Sequence, residues 1–303
     1  DYMKLFYNDY NCLQKTNKLP SNLQQMKDEG LIDGIGMQSH FSVNNNAVEI
    51  LMAVKTFCKA GYEVQMTELD IGMDNKNPWY WKKQTTLYKE LFEGLVELKE
   101  EGMLLVDSGG QYLTGTTDIT RTIPMGECTD LEKEDYTLVL RGMIELSRCV
   151  FPRGTTGCHL DAFARMPLWR AQRNFGHGTG HGIGYYLCVH EGPQEFRQNF
   201  NQWPILPGMV MTDEPGLYRE GMHGVRHENT LVCCEAGINA FGNWLEFETI
   251  TCCHIDTSAV IKDLLGPEAT AWLNAYNERV YRTLSPLLPS HVAAWLRGKT
   301  MPI

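Results

Sequence analysis

Three times within about the first hundred residues, a short apolar run turns polar and a stretch with helical spacing follows. M-K-L-F-Y-N-D-Y leads into S-N-L-Q-Q-M-K-D-E-G, a capped helix that Gly30 stops. I-D-G-I-G-M-Q-S-H leads into Ala47–Ala60, where Val48, Leu51, Val54 and Phe57 recur on one helical face. V-Q-M-T-E-L-D-I leads into a long helix from about Trp79 to Glu101. Strand and helix in alternation predict three βα units and a parallel sheet. After that the pattern changes. L-L-V-D-S-G-G-Q-Y-L-T-G-T-T-D-I-T-R-T reads as a β-hairpin about a Gly/Thr turn. A helix starting on a Thr/Asp cap with an acidic first turn should run from Asp130 to about Val150, before Pro152. A second, from about Cys158 to Arg170, loses regularity at Pro167, and its Asp161, Arg165 and Trp169 read as packing. Strands are expected over 208–218 and 223–234, and 265–297 reads as helical.

Composition narrows the class of protein. The 303 residues are 43% hydrophobic and 21% charged, ordinary for a globular chain of one large domain or two smaller ones. A formal net charge of -10 argues against general nucleic-acid binding, which needs a basic footprint. No apolar run is long enough for a membrane span, and no charged-then-apolar stretch reads as a secretory leader, but the start at Asp1 without a methionine suggests a fragment, for which that absence says little. The ten cysteines form no C-x-x-C, and adjacent pairs such as Cys233/Cys234 read as small buried hydrophobes. That favours a reducing, cytoplasmic setting.

The candidate chemistry is gathered around N-F-G-H-G-T-G-H-G-I-G-Y-Y-L-C-V-H-E-G-P, Asn174 to Pro193, which sets His177, His181 and His190 among glycines. Glycine gives up packing in exchange for close backbone approach. The hairpin carries Asp107 and Asp118 on opposite arms, M-V-M-T-D-E-P-G-L-Y puts Glu214 at the end of an apolar strand, and G-V-R-H-E-N-T-L-V puts Arg226 and Glu228 on one face of another. Acidic residues inside apolar strands are costly to bury unless a cation or partner compensates them, so the set reads as a metal site.

These residues carry a resemblance. Asp107, Asp118, His181, Glu214 and Glu228, inside D-S-G-G-Q-Y, T-T-D-I-T-R-T, G-H-G-T-G-H-G-I-G, T-D-E-P-G-L-Y and V-R-H-E-N, resemble the five metal ligands of the pita-bread metallopeptidases, in their Xaa-Pro aminopeptidase branch. The resemblance runs from about Leu104 to Ile303. It implies an α+β pita-bread catalytic domain over 103–303, truncated at its start, where the family carries a further substrate-contacting histidine. It implies a pair of divalent ions, Mn²⁺ first with Zn²⁺ or Co²⁺ as alternatives, bridged by Asp118 and Glu228, with Asp107 on one ion and His181 with Glu214 on the other. His177 and His190 would contact the substrate or stabilise the tetrahedral intermediate, and Arg226 would orient carboxylate oxygens. The substrate would be a peptide with proline second, and a homodimer is compatible with the family. A non-catalytic pita-bread binding protein is the rival that loss of a ligand would favour.

The first segment carries another resemblance. L-F-Y-N-D-Y-N, I-D-G-I-G-M-Q-S-H and M-T-E-L-D-I resemble the fifth to seventh strands of family 10 glycoside hydrolases, the endo-1,4-β-xylanases. This implies a partial (β/α)8 barrel over 1–102, with Glu68 in the place of the nucleophile and His40 and Asp70 beside it. A retaining glycosidase needs a second carboxyl group, and the family's acid/base glutamate comes from an earlier strand with no counterpart here. Xylan would therefore be a substrate only of a complete barrel, and Glu68 is expected to be vestigial. Between Lys99 and Leu105 one pattern gives way to the other with no Pro/Gly/Ser-rich linker, which suggests a truncated or mis-assembled gene.

Overall fold

The computed structural model describes residues 5–9, 12–72, 78–98, 102–186 and 188–303. They divide into two compact units, Asp1–Glu100 with Asp107–Gly110, and Glu101–Val106 with Gln111–Ile303.

The first unit holds strands β1 (Phe6–Asp9), β2 (Gly34–Ser42) and β3 (Glu63–Gly72), and helices α1 (Cys12–Lys15), α2 (Leu19–Asp28), α3 (Ala47–Lys59) and α4 (Pro78–Leu98). β1 pairs with β2 and β2 with β3, all parallel, from Phe6↔Gly34 and Gly34↔Glu63, as alternating strands and helices demand. Between Gln38 and His40 the register shifts. Among the described residues this is a short run of parallel strands and helices, and no barrel closes.

Two helices depart from expectation. α2 begins two residues before Ser21, because Pro20 suits the first turn of a helix, where no backbone N–H is needed. In α3 the buried stripe is Ala47, Ile50, Ala53, Val54 and Phe57, whereas Val48 stays exposed. Both stripes have helical spacing, and the one facing Ile35, Met37 and Leu91 is buried. Asn46 caps this helix, its side chain accepting from the Val48 N–H.

The second unit is built around α5 (Asp130–Ser147), which follows β4 (Met103–Tyr112) and β5 (Gly115–Pro124). Thr129 and Glu132 form a reciprocal capping box at its start. Tyr136, Leu138, Val139, Leu140, Met143 and Ile144 are buried on several sides of it, against Leu217, Val225, Ile255, Leu273 and Tyr276. Burial on several sides, which takes in the polar Asp135, Thr137 and Ser147 as well, places this helix inside its unit. It stops at Ser147 rather than Val150, because Val150–Pro152 forms β6, paired with a later strand at Leu245↔Phe151. α6 (Gly157–Arg170), β7 (Gly180–His181) and β8 (Glu195–Phe196) follow.

The expected strands over 208–218 and 223–234 are each broken in two: β9 (Val210–Asp213) and β10 (Gly216–Tyr218), then β11 (Gly224–Arg226) and β12 (Asn229–Asn239). The first break falls at Glu214-Pro215, where proline lacks the N–H that a ladder needs. β9 pairs with β12 (Asp213↔Asn229) and β10 with β11 (Gly216↔Arg226), so both breaks lie at one level. Glu214 and Glu228 sit in those breaks. β12 continues into β13 (Gly242–Thr249), giving a sheet of order β6-β13-β12-β9. The region expected to be helical divides into α7 (Lys262–Leu265), α8 (Pro267–Leu284), a 3-10 turn and α9 (Ser290–Lys299). Gly266, at φ 84°, separates the first two, and Pro286 and Pro289 end the run of α8.

Candidate metal centre

Asp118 on β5, His181 on β7 and Glu228 at the β11/β12 break each direct a donor atom to one place, all within 4.8 Å of one another. His181 Nε2 lies 3.4 Å from Asp118 Oδ2 and 3.5 Å from Glu214 Oε1. Four of the five residues singled out from the sequence are thus neighbours. Asp107 lies on β4, within the residues grouped with the first unit, and outside that three-residue cluster.

Close packing of backbone makes the convergence feasible. A Cβ at Gly180 would run into the Thr212 carbonyl, and one at Gly182 into the Glu191 carbonyl and the Gln194 amide. Gly180 therefore lets β7 lie against β9, and Gly182 lets the chain at Glu191 and Gln194 approach His181. The His181 backbone N–H donates to Thr212 Oγ1 at 3.0 Å, and its Nδ1–H donates to the Gly182 carbonyl at 3.0 Å. That fixes the tautomer and turns Nε2 toward the carboxylates. Burial opposes an imidazolium here, but the hydrogen bond to Asp118, the Gly182 carbonyl and the charges of Glu214 and Asp118 outweigh it and raise the His181 pKa. A divalent cation would compete with that proton for the same lone pair. Two carboxylates and an imidazole in this arrangement fit a hard or borderline divalent ion.

The carboxylates are held in turn. Glu228, almost wholly buried, accepts from Thr120 Oγ1 at 2.7 Å, and Thr120 Oγ1 accepts from Arg226 Nε at 3.1 Å. Thr212 Oγ1 donates to Glu214 Oε1 at 3.3 Å. Arg226 Nε is 3.9 Å from Glu214 Oε2, and its Nη1 donates to the Tyr218 hydroxyl at 2.9 Å. Behind Glu228, the buried Arg121 grips the carbonyls of Thr120, Glu228 and Cys253, the Asn229 side chain and the Tyr276 hydroxyl, joining β5, β12 and α8.

His177 lies at the rim. Its Nδ1–H donates to the Gly178 carbonyl at 2.7 Å and its Nε2 meets the Tyr218 hydroxyl at 2.9 Å. Burial lowers its pKa, against the Gly178 carbonyl and with help from Arg226 and Arg165. Since Tyr218 accepts from Arg226, its own proton goes to His177 Nε2. His190 is exposed, its ring 4.2 Å from that of His181. Elsewhere, His40 lies on β2 and is exposed, and Glu68 lies on β3 with its side chain outside the described residues, as is that of Asp70. Thr120, Thr212, Tyr218 and Arg121 were not singled out from the sequence. The first two stand two residues after Asp118 and two before Glu214, a spacing that shares a strand face and could have marked them.

The sequence matches metallopeptidase family M24 over residues 28–235, and the C-terminal region of that family over 243–303. The chain belongs to metallopeptidase family M24. The chain has the pita-bread α/β fold of that family. Aminopeptidase P1 of Arabidopsis thaliana is 42% identical over 216 residues, which cover 70% of this chain and 34% of the relative. The chain thus spans about a third of the length of the curated relatives it matches. The X-prolyl aminopeptidase of Caenorhabditis elegans, described as a cytosolic enzyme with a di-nuclear active site, has a TM-score of 0.63. It covers 96% of this chain and 57% of its own at 24% identity, a likeness of fold. An intracellular xylanase from Thermoanaerobacterium saccharolyticum is 40% identical over 30% of this chain, with a TM-score of 0.29, too low to bear on the fold. The expected joining of two families is therefore met on the M24 side alone, and the family match itself begins at residue 28.

Proposed function

We propose that the site is that of a metallo-aminopeptidase hydrolysing the N-terminal Xaa-Pro bond of peptides, with a pair of divalent ions. What carries this reading is the convergence of Asp118, His181 and Glu228, with Glu214 beside His181. In the proposal Asp107, Asp118, His181, Glu214 and Glu228 would hold the ions. Such a pair supplies a nucleophile from water at neutral pH and polarises the scissile carbonyl. The oxygen-rich donor set favours Mn²⁺, with Zn²⁺ and Co²⁺ as alternatives.

The protein's own groups do the rest. His181, fixed by the Gly182 carbonyl, presents one lone pair and cannot rotate away. Thr120 and Thr212 keep oxygens of Glu228 and Glu214 aimed. Arg226, Tyr218 and His177 form a chain of donors in which His177 stays neutral near neutral pH, a rim suited to the polar backbone of a short peptide. His190, beside His181 on the exposed side, is placed to meet the same peptide. The cytosolic description of the nematode enzyme supports a reducing compartment as the setting.

For the first segment we propose a glycoside-hydrolase-like stretch in which Glu68 and His40 keep the motif. The test of the main reading is Mn²⁺-stimulated cleavage of Xaa-Pro peptides. Glu228→Gln and His181→Ala should each abolish it, and unchanged turnover in either would sink the assignment.

A further inference from the structure

The glycine-rich loop that carries His177 has little in its own sequence to fix its backbone, since Gly176 and Gly178 flank the histidine. What holds it comes from α6. Arg165 and Asp161, one turn apart, are both about 1% exposed and joined at 2.6 Å. The other arms of the guanidinium reach only the loop. Nη1 donates to Asn174 Oδ1 at 3.2 Å and to the Phe175 carbonyl at 2.8 Å, and Nη2 donates to the His177 carbonyl at 2.8 Å. The Phe175 ring lies under the guanidinium at 3.8 Å. The second oxygen of Asp161 accepts from Thr179 Oγ1 at 2.6 Å, and the Thr179 carbonyl accepts from the Glu214 N–H at 2.7 Å.

A buried ion pair is a poor way to gain stability, because apolar residues of the same volume often do as well. They could not place donors on three groups of one glycine-rich loop, which the planar five-donor fork of arginine does. We propose that Arg165, oriented by Asp161, is a positioning residue that sets His177 over the site. This rests on the peptidase reading above.

The test is a cycle in the full chain loaded with Mn²⁺: Asp161→Leu/Arg165→Met, which removes both buried charges together, His177→Ala, and the triple variant. For each, kcat and KM on an Xaa-Pro peptide, metal content and amide hydrogen exchange are measured. The double change should leave metal content as in the parent, lower kcat/KM roughly 10–100-fold, and speed exchange at residues 174–179 but not in α5. In the His177→Ala background it should cost less than about 2-fold, since the group being positioned is gone. An equal loss in both backgrounds, or unchanged exchange in the loop, would overturn the proposal. A parent chain that binds metal but cleaves no such peptide would overturn the peptidase reading instead, and loop exchange would then decide the positioning role alone. If the double variant does not fold, Arg165→Lys, which keeps the charge but not the fork, enters the same cycle with the same expected outcomes.

Discussion

Arg121 shows how much one side chain can carry. Its guanidinium reaches four backbone carbonyls, an amide oxygen and a phenol inside the domain, so truncation would remove six hydrogen-bond partners from one buried place. Arg121→Ala should destabilise the chain by about 3–5 kcal/mol in denaturant unfolding, and Arg121→Lys should recover only part. His254 makes a prediction about pH. Burial, opposed by Asp256 and reinforced by Arg121 and Lys299, takes its pKa from 6.5 down to about 4. Above pH 6.5 the ring is neutral in both states and contributes no pH dependence. As pH falls from 6.5 toward 4 the unfolded chain takes up a proton that the folded chain refuses, so stability declines at up to about 1.4 kcal/mol per pH unit. In His254→Phe that part of the slope should vanish, and an unchanged slope would show that the ring is not buried as described. Residue identity made His181, Asp118, Glu214 and Glu228 legible in the sequence, because charges within apolar strands and histidines among glycines require a reason. It did not reveal Thr120, Thr212 or Tyr218, whose types are commonplace in strands and whose partners are distant in sequence.

At the scale of elements, the capping box of α5 was legible because Thr129 and Glu132 stand at the required spacing before an apolar run. Thr129→Ala should cost about 1 kcal/mol of stability, read as a lower denaturant midpoint with an unchanged slope. The first break within the two expected strands is marked in the sequence by Pro215, which cannot donate to a ladder. The second, at His227-Glu228, carries no such signal and shows only in the pairing of β9 with β12 and of β10 with β11. Those interruptions let the two glutamates leave their ladders and turn inward. The same lesson applies to α3, where local spacing allowed two apolar stripes and tertiary packing buried one.

For the whole molecule, the alternation of strands and helices in the first segment predicted parallel pairing, and β1, β2 and β3 are parallel. Composition alone could not distinguish one family from two, since both units draw on ordinary globular sequence. If the second unit holds metal as proposed, the ions are part of its stability: Mn²⁺ at about 100 times its Kd should add about 2.7 kcal/mol per site, raising the Tm of the parent but not of Glu228→Gln. The most direct measurement is metal content per chain, by mass spectrometry after Mn²⁺ loading and dialysis. The account predicts about two ions per chain, falling in His181→Ala and Glu228→Gln. No retained metal in the parent, or the same content in both variants, would contradict it.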